Sequence, residues 1–517
     1  MKQYGNVYLI AAISIIGGGL FGFDISSMSA IIAGPGYRCY FNQGDKPCVG
    51  PTSSTQGGIV ASMAAGSWLA SLCSGFVSDS FGRKKAIMLG AIIWIIGCII
   101  VSASQNIAML IVGRIINGMC VGICSAQVPV YISELAPPTK RGRLVGAQQW
   151  AITWGIMIMF YISYGCSFMD GPAAFRVPWA LQMIPAIILL FGMLFLPESP
   201  RWLASKDRWE ECERVLVLVH GHGDPDSPWV AREFREIKEW LEIERQSKQI
   251  SYLTLFTPRY INRTHIGLFT QIWSQLTGLT GNTLLVSSSI QYVINVVMTV
   301  PALIWIDRVG RRPTLLVGST LMATWLFANA GVLASYGVRV PGGVDGIPEA
   351  QIRVTGSASK AVIACSYLFV ASFAPTWGPV SWIYPPELFP NQLRGKAVAF
   401  TTSGNWAFNF ALGYFVPPAF ENITWRTYII FGVFCVAMTI HVFFMFPETA
   451  GKPLEQVTHM FEDPSGIKHI GTPAWKTKNY YSTSARMEKG EGLEKQLPDD
   501  RDESPVRHEN VDAAKSV

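Results

Sequence analysis

Glu134-Leu-Ala-Pro137-Pro-Thr-Lys-Arg141-Gly142-Arg143 returns later in the chain as Glu387-Leu-Phe-Pro390-Asn-Gln-Leu-Arg394-Gly395-Lys396, with the same spacing from glutamate to arginine. Two further pairs keep the same order. Asp79-Ser-Phe-Gly82-Arg83-Lys84 comes back as Asp307-Arg-Val-Gly310-Arg311-Arg312, and Pro197-Glu198-Ser199 as Pro447-Glu448-Thr449. The chain is therefore written twice. Each copy sets its charged motifs between long apolar runs, and parallel repeats of this kind are how many membrane carriers are built, with their site between the halves.

The apolar runs fall near 7–33, 57–78, 86–104, 107–132, 145–166, 178–196, 284–306, 314–336, 357–384, 397–420 and 426–446. Crossing about 30 Å of hydrocarbon takes about 20 residues of helix. Backbone polar groups cannot stay unpaired in lipid, and no barrel-like alternation is present, so these runs predict an all-α integral membrane protein. Composition agrees: of 517 residues, 50% are hydrophobic and 15% charged, against about 25% charged in soluble proteins. A net charge of +6 gives no reason to expect a nucleic-acid partner. The run from Val7 is too long for a signal-peptide core and lacks a cleavage site, so it reads as a retained helix.

Arg83-Lys84-Lys85, Lys140-Arg141-Gly142-Arg143, Arg308 with Arg311-Arg312, and Arg394 with Lys396 occupy alternate short loops. The positive-inside rule places these clusters and both termini in the cytoplasm. Four regions follow. Residues 1–197 form an N-terminal six-helix half. Residues 198–263 are a cytoplasmic linker whose apolar positions (Trp209, Val215, Leu216, Phe234, Ile237, Trp240, Leu241) suit amphipathic helices. Residues 264–446 make the C-terminal half, and 447–517 a charged, largely disordered tail.

The repeated D-x-x-G-R-[RK] loops, Pro129-Val-Tyr131-Ile-Ser-Glu134, Pro197-Glu-Ser-Pro-Arg201-Trp202 and Pro447-Glu-Thr-Ala-Gly451 together resemble the sugar porter family of the major facilitator superfamily, especially its fungal hexose-type members. The similarity runs from about residue 7 to about residue 460. It implies a major facilitator fold of two six-helix halves that moves a monosaccharide by alternating access, a hexose such as glucose with xylose as a further candidate, in the plasma membrane and as a monomer.

Asp24 lies mid-run in Gly18-Gly19-Leu20-Phe21-Gly22-Phe23-Asp24, and an intramembrane carboxylate marks a functional site by default. Its expected partner is Arg114. A carboxylate beside an arginine keeps its charge, and one moved away from it in an apolar site takes up a proton. Changing their separation would load and release a proton, and proton symporters of the family resemble this chain in carrying Asp at this position. Sugar hydroxyls call for carboxamides and an indole; Gln149, Gln271, Gln275, Asn295, Trp382, Asn405 and Asn409 are the candidates within spans. The resemblance selects Gln149, Gln275, Asn295, Trp382 and Asn409 as substrate-binding. Asp79, Arg83, Glu134, Arg141, Asp307, Arg311, Glu387 and Arg394 are expected to be a conformational switch, pairing across the halves when the cytoplasmic side is closed.

Of ten cysteines, most sit in apolar runs as small core residues. Cys39 and Cys48 share a polar loop and are candidates for a disulfide if it faces an oxidising side. His441, in an apolar run, reads as a packing residue. No metal-ligand cluster, nucleophile elbow or phosphate-binding loop is present, so neither a cofactor, a metal nor an enzymatic activity is expected.

The chain departs from the family at its seventh helix. After Gln275-Leu-Thr-Gly278 come Leu279-Thr280-Gly281-Asn282, where family members continue with Asn and a Tyr pair on one long helix. Two cytoplasmic loops must be joined by an even number of crossings; 284–306 supplies one and 266–282 must supply the other, yet its apolar part would rise only ~20 Å as a helix. The expectation is a truncated seventh helix. It leaves a sugar sensor or an inactive or regulatory isoform as the alternative function; the long tail typical of the family's sensors is not expected here.

Overall fold

The computed structural model describes residues 5–32, 34–43, 48, 50–137, 140–221, 223–245, 251–277, 285–340, 351–452, 454–462 and 467–475. The first crossing is made by α1 (Val7–Ser14) and α2 (Ile16–Ile31), and α3 (Pro35–Tyr40) follows beyond it. Then come α4 (Ser53–Phe81), α5 (Arg83–Ser102), α6 (Ile107–Leu135) and α7 (Arg141–Cys166); α8 (Ala173–Leu181) with α9 (Met183–Leu194) completes the first half. Three short helices link the halves: α10 (Pro200–Ser205), α11 (Trp209–Val219) and α12 (Pro228–Arg245). The second half holds α13 (Ile261–Leu276), α14 (Leu285–Val309) and α15 (Arg311–Tyr336). A two-residue hairpin, β1 (Val338–Arg339) against β2 (Ile352–Arg353), precedes α16 (Gly356–Phe373) and α17 (Trp377–Leu388). Last are α18 (Asn391–Ile423), α19 (Arg426–Met445) and α20 (Leu454–Glu462).

Nine helical tracts among the described residues are long and apolar enough to cross a bilayer. They coincide with nine of the eleven expected runs. The other two, 145–166 and 397–420, are helical and also long enough: α7 has 26 residues and α18 has 33. Carboxamides lower their apolarity, among them Gln148 and Gln149 on α7 and Asn405 and Asn409 on α18. Helix α13 carries Gln271 and Gln275 in the same manner. It has 16 residues, a rise of about 24 Å. The tract Gly278–Asn282, on which the expectation of a truncated seventh helix rests, lies outside the described residues.

The halves meet along two seams, α4 against α18 and α7 against α14. Close approach within the first half depends on glycine. A Cβ at Gly22 would stand 2.1 Å from the Ile152 carbonyl, which lets α2 lie directly on α7.

Two of the helices between the halves, α11 and α12, bury one apolar face each. Cys212, Val215, Leu216 and Val219 are buried along one face of α11, and Val230, Ile237 and Leu241 along one face of α12. Trp209 and Phe234 close the contact edge to face, 5.8 Å between ring centres. These helices cover the first half at the end where Arg83, Glu134 and Arg141 lie, called here the charged end. Helix α20 caps the second half at the same end: Arg263 donates to the Thr458 carbonyl at 2.9 Å, and Arg259 pairs with Glu462 at 2.8 Å.

Candidate functional site

Asp24 and Arg114 are both buried, with Oδ2 and Nη2 3.1 Å apart. Arg114 is held by a second contact, Nε donating to the Ile59 carbonyl at 2.9 Å, so the guanidinium is fixed by α4 while it faces α2. A separate apolar cluster closes over this region away from the charged end. In it Tyr37 of α3 packs among Met28, Ile31, Phe41, Ile59, Phe175 and Trp179, its hydroxyl donating to Gln56 Oε1 at 3.3 Å. Cys39 and Cys48, the expected pair, are joined by a disulfide in this segment, and Arg176 ties Tyr40 down at 2.9 Å.

Between the halves, the Trp382 indole donates to Gln149 Oε1 at 3.0 Å. A ladder of carboxamides runs beside it. Asn409 donates to Gln275 Oε1 at 2.9 Å, Gln275 to Asn405 Oδ1 at 2.9 Å, Asn405 to Gln271 Oε1 at 2.7 Å, and Gln271 to the Ser381 carbonyl at 2.8 Å. The ladder links α18, α13 and α17 and includes six of the seven sequence candidates when Gln149 and Trp382 are counted with it. Asn295 stands apart on α14, buried, with no hydrogen-bond partner for its Oδ1 among the described residues. Gln275 and Asn409 remain half-buried. Their carboxamides carry more donor and acceptor sites than the ladder engages, so hydroxyls can join it.

Trp406 was not singled out from the sequence. Its indole crosses the halves to Ser125 Oγ at 3.1 Å, and Phe21 meets it edge-on, 4.8 Å between ring centres. The signal was there, a tryptophan between two candidate asparagines, but nothing in the sequence places Ser125 opposite it.

At the charged end the two repeats build the same cluster twice. Arg83 pairs with Glu134 at 3.2 Å and with Asp79 at 3.3 Å; Arg311 pairs with Glu387 at 2.7 Å and with Asp307 at 3.1 Å. Ser199 donates to Glu134 and Thr449 to Glu387. Glu198 accepts from the amides of Arg83 and Lys84 at 3.0 and 3.1 Å, and Glu448 from those of Arg311 and Arg312 at 2.9 and 3.0 Å. Each carboxylate thus caps a helix N-terminus, where exposed amides and the helix dipole favour negative charge. The glycine before each helix is required. Gly82 and Gly310 have φ of 100° and 97°, and a Cβ on either would stand 2.4 Å from the capping carboxylate.

The expected switch residues make contacts both within and between the halves. The short ion pairs lie within each half. Crossing between halves are Glu134 to Arg394 at 4.0 Å, Asp79 to Lys396 at 3.8 Å, and the Arg143 amide donating to Asp307 at 3.0 Å. Arg394 is otherwise occupied with the carbonyls of Pro386 and Phe389. Arg141 is buried, and its charge acts on Glu233 of the linker. His441 is less solitary than its sequence neighbourhood suggests: Trp273 donates to its Nδ1 at 2.9 Å, and His265 packs 4.9 Å away.

Residues 10–461 match the family described as Sugar (and other) transporter. The chain belongs to the sugar transporter family. It is a multi-pass membrane protein and not an enzyme. The transporter is 50% identical over 494 residues to the high-affinity glucose transporter of Kluyveromyces lactis, covering 92% of this chain and 87% of that one. Its fold is similar to the proton:xylose symporter XylE bound to 6-bromo-6-deoxy-D-glucose, with a TM-score of 0.74, 25% identity, and coverage of 87% of this chain and 98% of that chain. Against the inward-open form of the xylose transporter XylE from E. coli the TM-score is 0.63, at 26% identity over 87% of this chain and 99% of that one. By TM-score the transporter is thus more similar to the sugar-analogue-bound form than to the inward-open one.

Proposed function

We propose that this chain takes up a monosaccharide, a hexose such as glucose, by alternating access and in symport with a proton. The observation that carries the proton half is the buried pair of Asp24, in the first crossing, and Arg114, on α6, 3.1 Å apart. A neighbouring guanidinium favours the charged carboxylate; parted from it in an apolar site, the carboxylate takes up a proton. Helix α2 carries Asp24 and lies on α7, which carries Gln149, so filling the sugar site can bear on the helix that carries the carboxylate. The sugar half rests on the Gln149–Trp382 contact and the carboxamide ladder, whose donors, acceptors and indole face suit a neutral polyol. Xylose fits the same chemistry, and the relation to a xylose symporter supports including it.

The charged end is read as cytoplasmic, because the basic clusters lie there and because the likeness to an inward-open carrier is the weaker one. Both termini then face the cytoplasm and the Cys39–Cys48 loop faces outward, in the plasma membrane. Uptake of labelled glucose by yeast cells lacking their own hexose transporters tests this reading. Accumulation that collapses on adding a protonophore is expected; equilibration without accumulation would leave a facilitator.

A second reading rests on the sequence: the tract 266–282 is short for a crossing, so the fold forms but transport is impaired, leaving an inactive or regulatory form. Lengthening this segment by one to two helical turns after Thr277 discriminates. Transport that appears only in the lengthened chain supports the second reading, and equal transport by both removes it.

A further inference from the structure

The linker is fastened to the charged end by a histidine with both ring nitrogens engaged. His220 closes the C-terminal end of α11. Its Nδ1 lies 2.5 Å from Glu233 Oε2 on α12, and its Nε2 lies 3.1 Å from the carbonyl oxygen of Leu135, the last residue of α6. A carboxylate and a backbone carbonyl can only accept. Both nitrogens must therefore donate, and only the imidazolium does so. A neutral ring satisfies one of these partners and turns a lone pair on the other.

The surroundings of the pair are charged on several sides. Arg201 from α10 acts on both His220 and Glu233, Arg141 from α7 acts on Glu233, and the Cys212 thiol of α11 lies within reach of the same carboxylate. Burial works against the charged ring, but the hydrogen bond and charge of Glu233, with the Leu135 carbonyl, outweigh it and Arg201, so His220 titrates above its ordinary value of 6.5. For Glu233, burial would raise the carboxyl, and His220 with Arg201 and Arg141 carries it below its ordinary 4.5.

We propose that His220 is a proton-operated pin between the linker and the end of α6. Charged, it holds α11 and α12 against the helix end; neutral, it releases one of its two partners and loosens them. The sign follows from the two directions. His220, raised, contributes fully below its ordinary value, and the contribution is lost as pH rises through its raised value. Glu233, depressed, contributes above its ordinary value and fails only as pH falls through the lowered one. The pin is therefore engaged in the window between them and opens on the alkaline side, through the range in which histidine is the natural switch.

Leu135 is adjacent to Glu134, which holds Arg83 and Ser199 and faces Arg394 of the other half. Fixing this helix end steadies the contacts that keep the halves together at the charged end. The consequence for transport rests on the proton-symport reading. A carrier that brings protons in with sugar acidifies the side on which the pin sits, so accumulated protons would engage the pin and slow opening to that side.

The test compares hydrogen exchange across residues 209–245 in the full-length protein, reconstituted in nanodiscs, with that in His220→Gln and Glu233→Gln at the same pH, so that intrinsic exchange cancels. At about pH 6 the unsubstituted protein is expected to exchange about tenfold more slowly than either variant, as loss of a charge-assisted contact implies. At about pH 9 the three should coincide. Equal exchange at pH 6, or a difference that persists unchanged at pH 9, would overturn the pin. Sugar counterflow from proteoliposomes with a clamped internal pH reads the consequence. Its acceleration by internal alkalinisation should vanish in His220→Gln. Absence of counterflow in every form would count against the transport reading, while the exchange comparison would still decide the pin.

Discussion

The Trp382 indole and the Gln149 carboxamide meet at 3.0 Å across the seam between the two halves, so one contact belongs to both repeats and to the space in which a sugar would lie. If that space holds the sugar, Trp382→Ala should raise the KM for glucose more than tenfold, because it removes the stacking face and the indole donor together. Trp382→Phe keeps a ring and loses one donor, and the loss should stay within about tenfold, as for a single hydrogen bond of about 0.5–1.5 kcal/mol. Kinetics at matched surface expression check both, and unchanged KM in Trp382→Ala would place the sugar elsewhere.

Arg311 and Glu387 form a buried pair at 2.7 Å. Arg311→Leu strands the Glu387 carboxylate and should cost roughly 3–5 kcal/mol, seen as a marked drop in thermal stability in detergent. Adding Glu387→Gln to that background should recover part of the loss. A double variant no more stable than the single one would mean that the pair is not what holds this end of the second half.

Gly82→Ala forces a side chain onto a backbone with φ of 100° and into the Glu198 carboxylate at 2.4 Å. A loss of about 1–3 kcal/mol is expected. Gly57→Ala, in α4 with nothing within 4 Å of the added Cβ, is the control, and should be neutral or stabilising by up to about 1 kcal/mol. Equal melting temperatures for the two variants would contradict the cap geometry.

Much of this was legible in the sequence because membrane crossings announce themselves by apolar length and the charged motifs repeat in order. Gln271, Gln275, Asn405 and Asn409 could be named because a carboxamide in an apolar run stands out. Which carboxamide bonds to which could not, since the ladder joins α13 to α18, segments far apart in the chain. The capping roles of Glu198 and Glu448 were hidden for a related reason: each motif lies after the last helix of its half, while the helix it caps begins four crossings earlier. His220 ends the apolar stretch Val215-Leu-Val-Leu-Val219 of the linker, and no local pattern points it at the end of α6. Trp406 shows the converse limit, since a tryptophan in an apolar run looks like packing until Ser125 is placed opposite it.

Accumulation of sugar against its gradient by Asp24→Asn, set beside its sugar counterflow, tests the central claim most directly. An asparagine can stay in place beside Arg114 but cannot take up and release the proton. The account predicts that Asp24→Asn reaches the surface, still exchanges labelled for unlabelled glucose, and no longer accumulates it. Accumulation equal to that of the unsubstituted chain, still sensitive to a protonophore, would contradict it.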